Sequence, residues 1–337
     1  IWPPDRESSR VNSPRPWLRS LMPMLGAMAL GAAAETVPVP PPDVDLIGQV
    51  RVVAARHEDT LLDIARRGGL GYTEIKMANR GVDPWMPGEG VQVVLPTRHV
   101  LPLAPREGIV INLPEMRLYH YLPASGGVPQ VVTYPISIGR YDWRSPLGVT
   151  RITQKVPNPS WTPPESIRVE HAAKGDILPP VVPAGPDNPL GQFALRLGTP
   201  GYLIHGTNRP YGIGMRVTHG CLRLYPENIA TLFEQVTPGV KVNFVSQPYK
   251  IGQAFGVTYL EAHHPLKEEK GRKEGALGEI ARLLASRGVT TAQVDWATVR
   301  QEIAKPTGMP VAISQQDDVL LLDASNETEV MRTAARP

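Results

Sequence analysis

The chain has 337 residues, 42% of them hydrophobic and 6% aromatic, with 37 prolines and 31 glycines. This length predicts two or three folded units, and so many prolines argue against a long helical bundle. The formal net charge is only +3. No clustered basic face stands out, so the composition excludes nucleic acid as an expected partner.

The pattern of residues 1–34 is typical of an export signal. Arg15 and Arg19 precede an apolar run at Leu21–Leu30, and small residues follow at 31–34. The run is too short to cross a bilayer as a permanent helix. We therefore predict a cleaved signal peptide and a periplasmic protein, with an uncleaved anchor as the alternative.

Residues 35–48 are rich in proline and predict an extended linker. The next region, 49–97, predicts a small module of order β-α-α-β. Asp59 or Thr60 is suited to cap the first helix. The expected elements are Arg51–Ala54, Asp59–Ala65, Tyr72–Asn79 and Val91–Leu95.

The 49–97 module contains the segments Asp59-Thr60-Leu61, Ile64-Ala65, Asn79 and Pro87-Gly88. With the β-α-α-β order, these segments resemble a LysM module, a family that binds the N-acetylglucosamine backbone of glycan strands. Glu58 stands where that family has glycine. The resemblance implies glycan strands as a partner, and a small spacer domain without sugar binding is the alternative.

The region 108–247 predicts a mostly β domain, because apolar and β-branched runs alternate with turn residues. One helix interrupts it, beginning at Pro226 and ending at Pro238-Gly239. Between Pro157 and Leu190, a proline-rich stretch predicts an ordered lid beside a functional site, or else a packed but inert loop. The expected strands are Ile109–Leu113, Arg117–Leu122, Val131–Ile138, Val149–Thr153, Phe193–Leu197 and Val240–Val245.

The C-terminal tail, 266–337, predicts a short appended unit. A last strand is expected within Tyr259–Leu266. Two amphipathic helices are expected at Ala276–Arg287 and Ala292–Ala304. Nothing in the sequence indicates the role of this unit.

The single cysteine of the chain closes the segment Thr218-His219-Gly220-Cys221, and a second histidine lies upstream in Ile204-His205-Gly206-Thr207-Asn208. The thiolate is the reactive form of cysteine, and a nearby imidazole raises its population. A glycine beside the thiol lets backbone N–H groups turn toward a reacting carbonyl, as an oxyanion hole requires. A lone cysteine forms no internal disulfide in an oxidising compartment. A buried structural cysteine is the alternative reading.

The two segments, their spacing and the arginine that follows Cys-Leu resemble the signatures of bacterial L,D-transpeptidases, which remodel peptidoglycan. The stretches 182–189 and 211–214 are similar to the Gram-negative periplasmic branch of that family. The resemblance implies a mainly β protein. It would comprise a β-sandwich catalytic domain at 108–247, the LysM-like N-terminal domain and a short helical C-terminal tail.

For the reaction, the sequence predicts Cys221 as nucleophile and His205 as proton acceptor and donor. His219 is the competing base, or else shapes the backbone or contacts substrate. The oxyanion is expected on the N–H of Cys221 together with that of Gly220 or His219. No metal and no cofactor are expected.

Arg223 is predicted to hold a substrate carboxylate through a bidentate fork, with a structural ion pair as the alternative. Tyr202, Thr207, Asn208 and Gly214 are predicted pocket residues, for which plain structural duty is the alternative.

The resemblance also supplies the substrates. The donor is a peptidoglycan tetrapeptide stem with meso-diaminopimelate third and D-Ala fourth. Attack at the diaminopimelate carbonyl releases D-Ala and leaves a thioester. The acceptor can be diaminopimelate of another stem, a lysine of an outer-membrane lipoprotein, or water, and carbapenems are expected to acylate the same thiol.

Three other functions compete with this one. A zinc site could use His205, His219 and Cys221. A non-catalytic wall-binding protein could act through the LysM-like module alone. An ordinary cysteine peptidase would cleave peptides without requiring D-Ala.

Overall fold

Strands dominate the computed structural model, which describes residues 36–124, 127–269 and 274–314. The strands are β1 (Thr36–Pro38), β2 (Leu46–Gly48), β3 (Arg51–Ala54), β4 (Gln92–Leu95), β5 (Arg98–Val100), β6 (Gly108–Asn112), β7 (Arg117–Leu122), β8 (Gln130–Pro135), β9 (Ile138–Gly139), β10 (Gly148–Pro157), β11 (Phe193–Leu197), β12 (Leu203–His205), β13 (Arg216–Thr218), β14 (Leu222–Arg223), β15 (Lys241–Val245), β16 (Tyr249–Ala254), β17 (Val257–Ala262) and β18 (Val311–Ala312). The helices are α1 (Leu61–Arg67), α2 (Tyr72–Ala78), α3 (Glu165–Ala172), α4 (Pro226–Gln235), α5 (Ala276–Ser286) and α6 (Trp296–Ala304). Short 3₁₀ turns lie at Pro210–Gly212, Lys267–Glu269 and Thr291–Gln293.

The largest sheet has the strand order β1-β8-β7-β6-β15-β10-β11-β12-β14. It curls, because residues from both of its halves meet in one apolar core: Leu118 of β7 and Val132 of β8 join Ile204 of β12 and Leu222 of β14. Helix α4 closes this core with Ile229 among others. The predicted mainly β architecture is confirmed.

The predicted strand Val131–Ile138 is broken in the structure. Strand β8 ends at Pro135, which has no N–H to donate to a further ladder. The chain then leaves the large sheet, and β9 pairs with β13 in parallel. Next to it, Ser137 bridges to Arg223. The break brings β9 beside the segment that precedes the cysteine.

The N-terminal module has the predicted β-α-α-β order, with β3 and β4 paired antiparallel. Thr60 caps α1, and its side chain and that of Asp63 form a reciprocal capping box. The module has its own small apolar core. Its kinship to LysM modules stays a prediction. The expected linker over 35–48 is corrected by the structure, because β1 pairs with β8 and β2 pairs with β5.

The N-terminal module is bonded to the catalytic region through backbone groups. The N–H groups of Tyr72 and Thr73, in the first turn of α2, donate to the carbonyls of Ile213 and Gly214 at 3.0 and 3.2 Å. The Cβ of any other residue in place of Gly214 would lie 2.4 Å from the Cα of Gly71. Gly214 therefore permits this close approach of two backbones, instead of lining a pocket.

Charged side chains are buried where the module meets the large sheet. Arg117 of β7 is 1% exposed, and its Nε donates to Glu74 Oε1 at 2.8 Å. Its other nitrogens donate to Thr133 Oγ1 at 2.8 Å and to the Gly69 carbonyl at 3.3 Å. Every guanidinium nitrogen of Arg117 thus has a partner inside the protein.

The C-terminal region forms a second small core. Strands β16, β17 and β18 make one sheet, and α5 and α6 pack against it. Helix α5 begins at the predicted residue, whereas α6 begins at Trp296, after a 3₁₀ turn, because Asp295 caps it. Lys250 of β16 forms ion pairs with Glu115 and Glu261 at 2.9 and 2.8 Å. The predicted tail is therefore packed onto the rest of the chain as far as residue 314.

The predicted signal peptide lies outside the described residues, as does the tail beyond 314. No helix within the described ranges combines the length and the apolar character needed to cross a bilayer.

Candidate active site

The two sequence motifs meet on adjacent strands. Strands β12 and β14 run parallel, with His205 opposite Arg223 and Ile204 opposite Leu222. This register places Cys221 opposite Leu203, on the same face as His205 because residues two apart share a face. Strand spacing and rise put the Cα atoms of Cys221 and His205 about 8 Å apart, within reach of their side chains. Both residues line one cleft of about 970 Å³.

His205 is held as a neutral imidazole. Its side chain is buried, and its Nδ1 lies 2.7 Å from the carbonyl oxygen of Gly206. That contact requires the proton on Nδ1, which leaves Nε2 as the acceptor. Burial, with the positive charge of Arg223, lowers the pKa of His205 from 6.5 to about 3. The ring is therefore able to take a proton at neutral pH.

Cys221 rests as a thiol. Burial raises its pKa, which an N–H of Leu203 and the charge of Arg223 only partly offset. Its Sγ lies 3.7 Å from the carbonyl oxygen of Gly201. The populated thiolate that the sequence suggested is thus not the resting form. A neutral thiol beside a neutral imidazole fits proton transfer coupled to attack.

The loop before the cysteine is closed by Thr218. Its hydroxyl donates to the Cys221 carbonyl at 2.6 Å and accepts from the Gly220 N–H at 3.2 Å. Gly220 has a φ of +99°, and an added Cβ would lie 3.0 Å from the Tyr202 ring. Only glycine fits this turn. Because Thr218 occupies the Gly220 N–H, the expected oxyanion contact by that group is not free in this conformation.

His219 is committed to a different partner. Its Nε2 lies 3.0 Å from Glu170 Oε2, and its ring packs edge-on against Trp143 with centroids 4.9 Å apart. Glu170 also accepts two bonds from Arg140, at 2.9 and 2.8 Å. The bond to Glu170 and the contact with Trp143 suit His219 to hold the loop. Glu170 lies on α3, a helix within 157–190 that sequence periodicity did not reveal.

Arg223 faces the cleft without a protein counterion. Its Nε is buried and has no hydrogen-bond partner. Within the described ranges its guanidinium makes no ion pair. Burial lowers its pKa. A buried donor without a partner favours the predicted contact with a substrate carboxylate over the structural alternative.

The four remaining predicted residues divide into two pairs. Tyr202 and Asn208 line the cleft, and their side chains bond to the carbonyls of Arg144 and Asp187 at 3.1 and 3.0 Å. Thr207 instead accepts from the Arg209 N–H at 2.9 Å and supports the turn after β12. Gly214 is also a support residue, at the contact with the N-terminal module. Residues that the sequence did not single out also line the cleft: Trp143, Trp161, Arg196 and Arg209.

The rival zinc site is not assembled. In the part of the chain that the structure describes, His205, His219 and Cys221 do not form a group whose ligand atoms lie within 4.8 Å of one another. Among the described residues, the group of possible metal ligands that does come together is His99, Glu115 and Glu261, far from the cysteine in sequence. The ammonium of Lys250 already bonds to both of those carboxylates.

Comparison with known proteins identifies this arrangement. The YkuD family model, described as the L,D-transpeptidase catalytic domain, matches residues 106–244. The Escherichia coli K12 protein named "Probable L,D-transpeptidase YcfS" is 41% identical over 293 residues, covering 85% of this chain and 91% of that one. The chain belongs to the L,D-transpeptidase family. It is therefore an enzyme that acts on peptidoglycan.

Further relatives of this L,D-transpeptidase agree in length as well as in sequence. E. coli K12 "Probable L,D-transpeptidase YbiS" is 38% identical, covering 84% of this chain and 93% of that one. The solved catalytic domain of the Enterococcus faecium L,D-transpeptidase acylated by ertapenem is 20% identical. It covers 41% of this chain and 96% of that one with a TM-score of 0.31.

Proposed function

We propose that Cys221 and His205 catalyse acyl transfer from a tetrapeptide stem. One observation carries this: the buried imidazole of His205, with Nδ1 bonded to Gly206, lies on the strand beside that of the thiol and lines the same cleft. Such positioned proton transfer contributes about 10²–10⁴-fold to a rate. The cleft that both residues line has a volume of about 970 Å³.

In the first step, Sγ attacks the diaminopimelate carbonyl carbon as the thiol proton passes to His205 Nε2. The C–N bond to D-Ala breaks, and the proton moves from the imidazolium to the departing amine. The Cys221 N–H is the donor available for the oxyanion. The product is a thioester and free D-Ala.

In the second step, an acceptor amine gives its proton to His205 and attacks the thioester carbonyl. The C–S bond breaks, and the sulfur recovers the proton. With diaminopimelate of another stem the product is a cross-link between two diaminopimelates. A lysine of an outer-membrane lipoprotein would give a protein anchor, and water would give carboxypeptidase activity. Carbapenems are proposed as acylating inhibitors of the same thiol.

The test is incubation with purified disaccharide-tetrapeptide, with and without a lipoprotein C-terminal peptide, read by mass spectrometry. We expect D-Ala release, a thioester on Cys221, and a product that identifies the acceptor. Cys221→Ala should lose D-Ala release and the carbapenem adduct, and persistence of either would remove Cys221 from the mechanism. Unchanged thermal unfolding of the variant serves as the folding control.

We also propose that the protein is exported to the periplasm and that its N-terminal module binds glycan strands. The apolar run near the N-terminus supports export. In the module, Trp85 is 63% exposed and presents a flat ring of the kind that stacks on sugars. Trp85→Ala should lower retention on sacculi about two- to tenfold without lowering thermal stability. Unchanged retention would make the module a spacer.

A further inference from the structure

Two arginines stand together in the cleft without a counterion. Arg209 follows the turn after β12, and Arg223 lies on β14. Both guanidinium groups line the same cleft, and burial together with the charge of Arg209 lowers the pKa of Arg223. Over the described ranges neither side chain makes an ion pair. Arg209 is exposed and Arg223 is half-buried, and a carboxylate placed between them would offset the repulsion of the two like charges.

The order of groups along the two strands shows which anion fits. Arg223 lies opposite His205 in the parallel register, so its guanidinium is beside the imidazole, and Cys221 precedes it by two residues on the same face. Arg209 lines the same cleft, four residues after His205. The leaving nitrogen must face His205 to receive its proton. The carboxylate on the next carbon of the leaving residue then falls on the side where the arginines are.

We propose that Arg209 acts with Arg223 as a carboxylate site for the residue that leaves, and so selects stems that end at that residue. This rests on the proposed function of the cleft. A free carboxylate forms charge-assisted bonds with both guanidinium groups. A stem extended by another residue offers an amide carbonyl there, which carries no charge to balance them.

The experiment compares two donors, a disaccharide-tetrapeptide ending in D-Ala and the same compound ending in D-alaninamide. We expect the unmodified enzyme to prefer the free acid about ten- to a hundredfold in kcat/KM, as expected for bonds to a charged group. Arg209→Gln should reduce that preference about tenfold, mainly through the acid substrate. Arg196→Gln is the matched control, because Arg196 lines the same cleft from β11 and is exposed; it should keep the preference.

Three results would overturn the inference. The unmodified enzyme could release both leaving groups equally well, or Arg209→Gln could keep the full preference for the acid. Arg196→Gln could also reduce the preference as much as Arg209→Gln, which would mean that only the total charge of the cleft matters. If neither donor forms a thioester with the unmodified enzyme, the proposed function itself fails, and that result is distinct from a loss of selectivity.

Discussion

Arg117 and Arg223, the first buried and the second half-buried, differ in whether their guanidinium groups have partners. Arg117, at the contact between the N-terminal module and the large sheet, has a partner for every nitrogen. Arg223, in the cleft, has a buried Nε with none. Since native interiors satisfy their polar groups, a saturated arginine marks architecture and an unsaturated one marks a place for a ligand. Arg117 therefore serves the stability of the protein, and Arg223 serves its chemistry.

The cleft side of this comparison is tested most strongly by His205→Gln. Losing the proton acceptor should slow acylation about 10²–10⁴-fold. His219→Gln should slow it far less, because His219 bonds to Glu170. Stopped-flow measurement of acylation by a carbapenem checks both variants. The reverse ranking would assign the proton transfer to His219.

The contact between the N-terminal module and the large sheet is tested by removing one partner of a buried ion pair. Arg117→Met leaves Glu74 buried and uncompensated, and should lower the free energy of unfolding by about 3–5 kcal/mol. Arg223→Met, by contrast, removes a donor that has no partner, so the free energy of unfolding should change by less than about 1 kcal/mol while KM for the donor rises. Urea unfolding and steady-state kinetics measure the two. Equal destabilisation would erase the distinction between these arginines.

A smaller loss is expected from Gly214→Ala. The residue has a φ of +81°, and a Cβ would approach the Tyr72 nitrogen to 2.4 Å. We expect the free energy of unfolding to fall by about 1–3 kcal/mol as the module is pushed off its bonds. Gly212→Ala is the control, since its nearest contact would be Val217 at 3.5 Å and its φ is not positive. If the two variants are equally stable, the module is held by other contacts.

The smallest effect is expected from pH. Because the pKa of His205 is lowered to about 3, the imidazole stays an acceptor well below pH 6.5. Acylation at pH 5 should then be within about twofold of the rate at pH 7. An imidazole with an ordinary pKa would make the rate fall about thirtyfold over that interval. A pH profile of kcat/KM decides between these outcomes.

Sequence patterns were a good guide where a local rule decides the structure. β7 and β11 have the predicted bounds, Thr60 caps its helix, and the spacing of the two motifs placed Cys221 and His205 on one site. Patterns failed where distant contacts decide. Helix α3 has only a weak apolar face, so periodicity does not reveal it. Its position depends instead on the bonds of Glu170 to Arg140 and His219.

Burial was the other quantity that the sequence could not supply. A cysteine beside two histidines predicts a thiolate, but the pKa directions reverse once the side chains are enclosed. Short strands β1 and β2 were also missed, because their partners β8 and β5 lie far along the chain. No sequence motif surrounds Arg209, so its functional role is suggested only by its position near Arg223 in the cleft.

The amide bonds from Tyr72 and Thr73 into Ile213 and Gly214 have a consequence for how the enzyme samples the cell wall. They join the N-terminal module to a segment only a few residues ahead of the cysteine, so the module cannot rotate freely relative to the active site. A glycan strand bound to the module would therefore lie at one fixed distance from Cys221 Sγ and in one fixed orientation. The enzyme would then reach only those peptide stems that project from the sacculus at that distance and in that orientation.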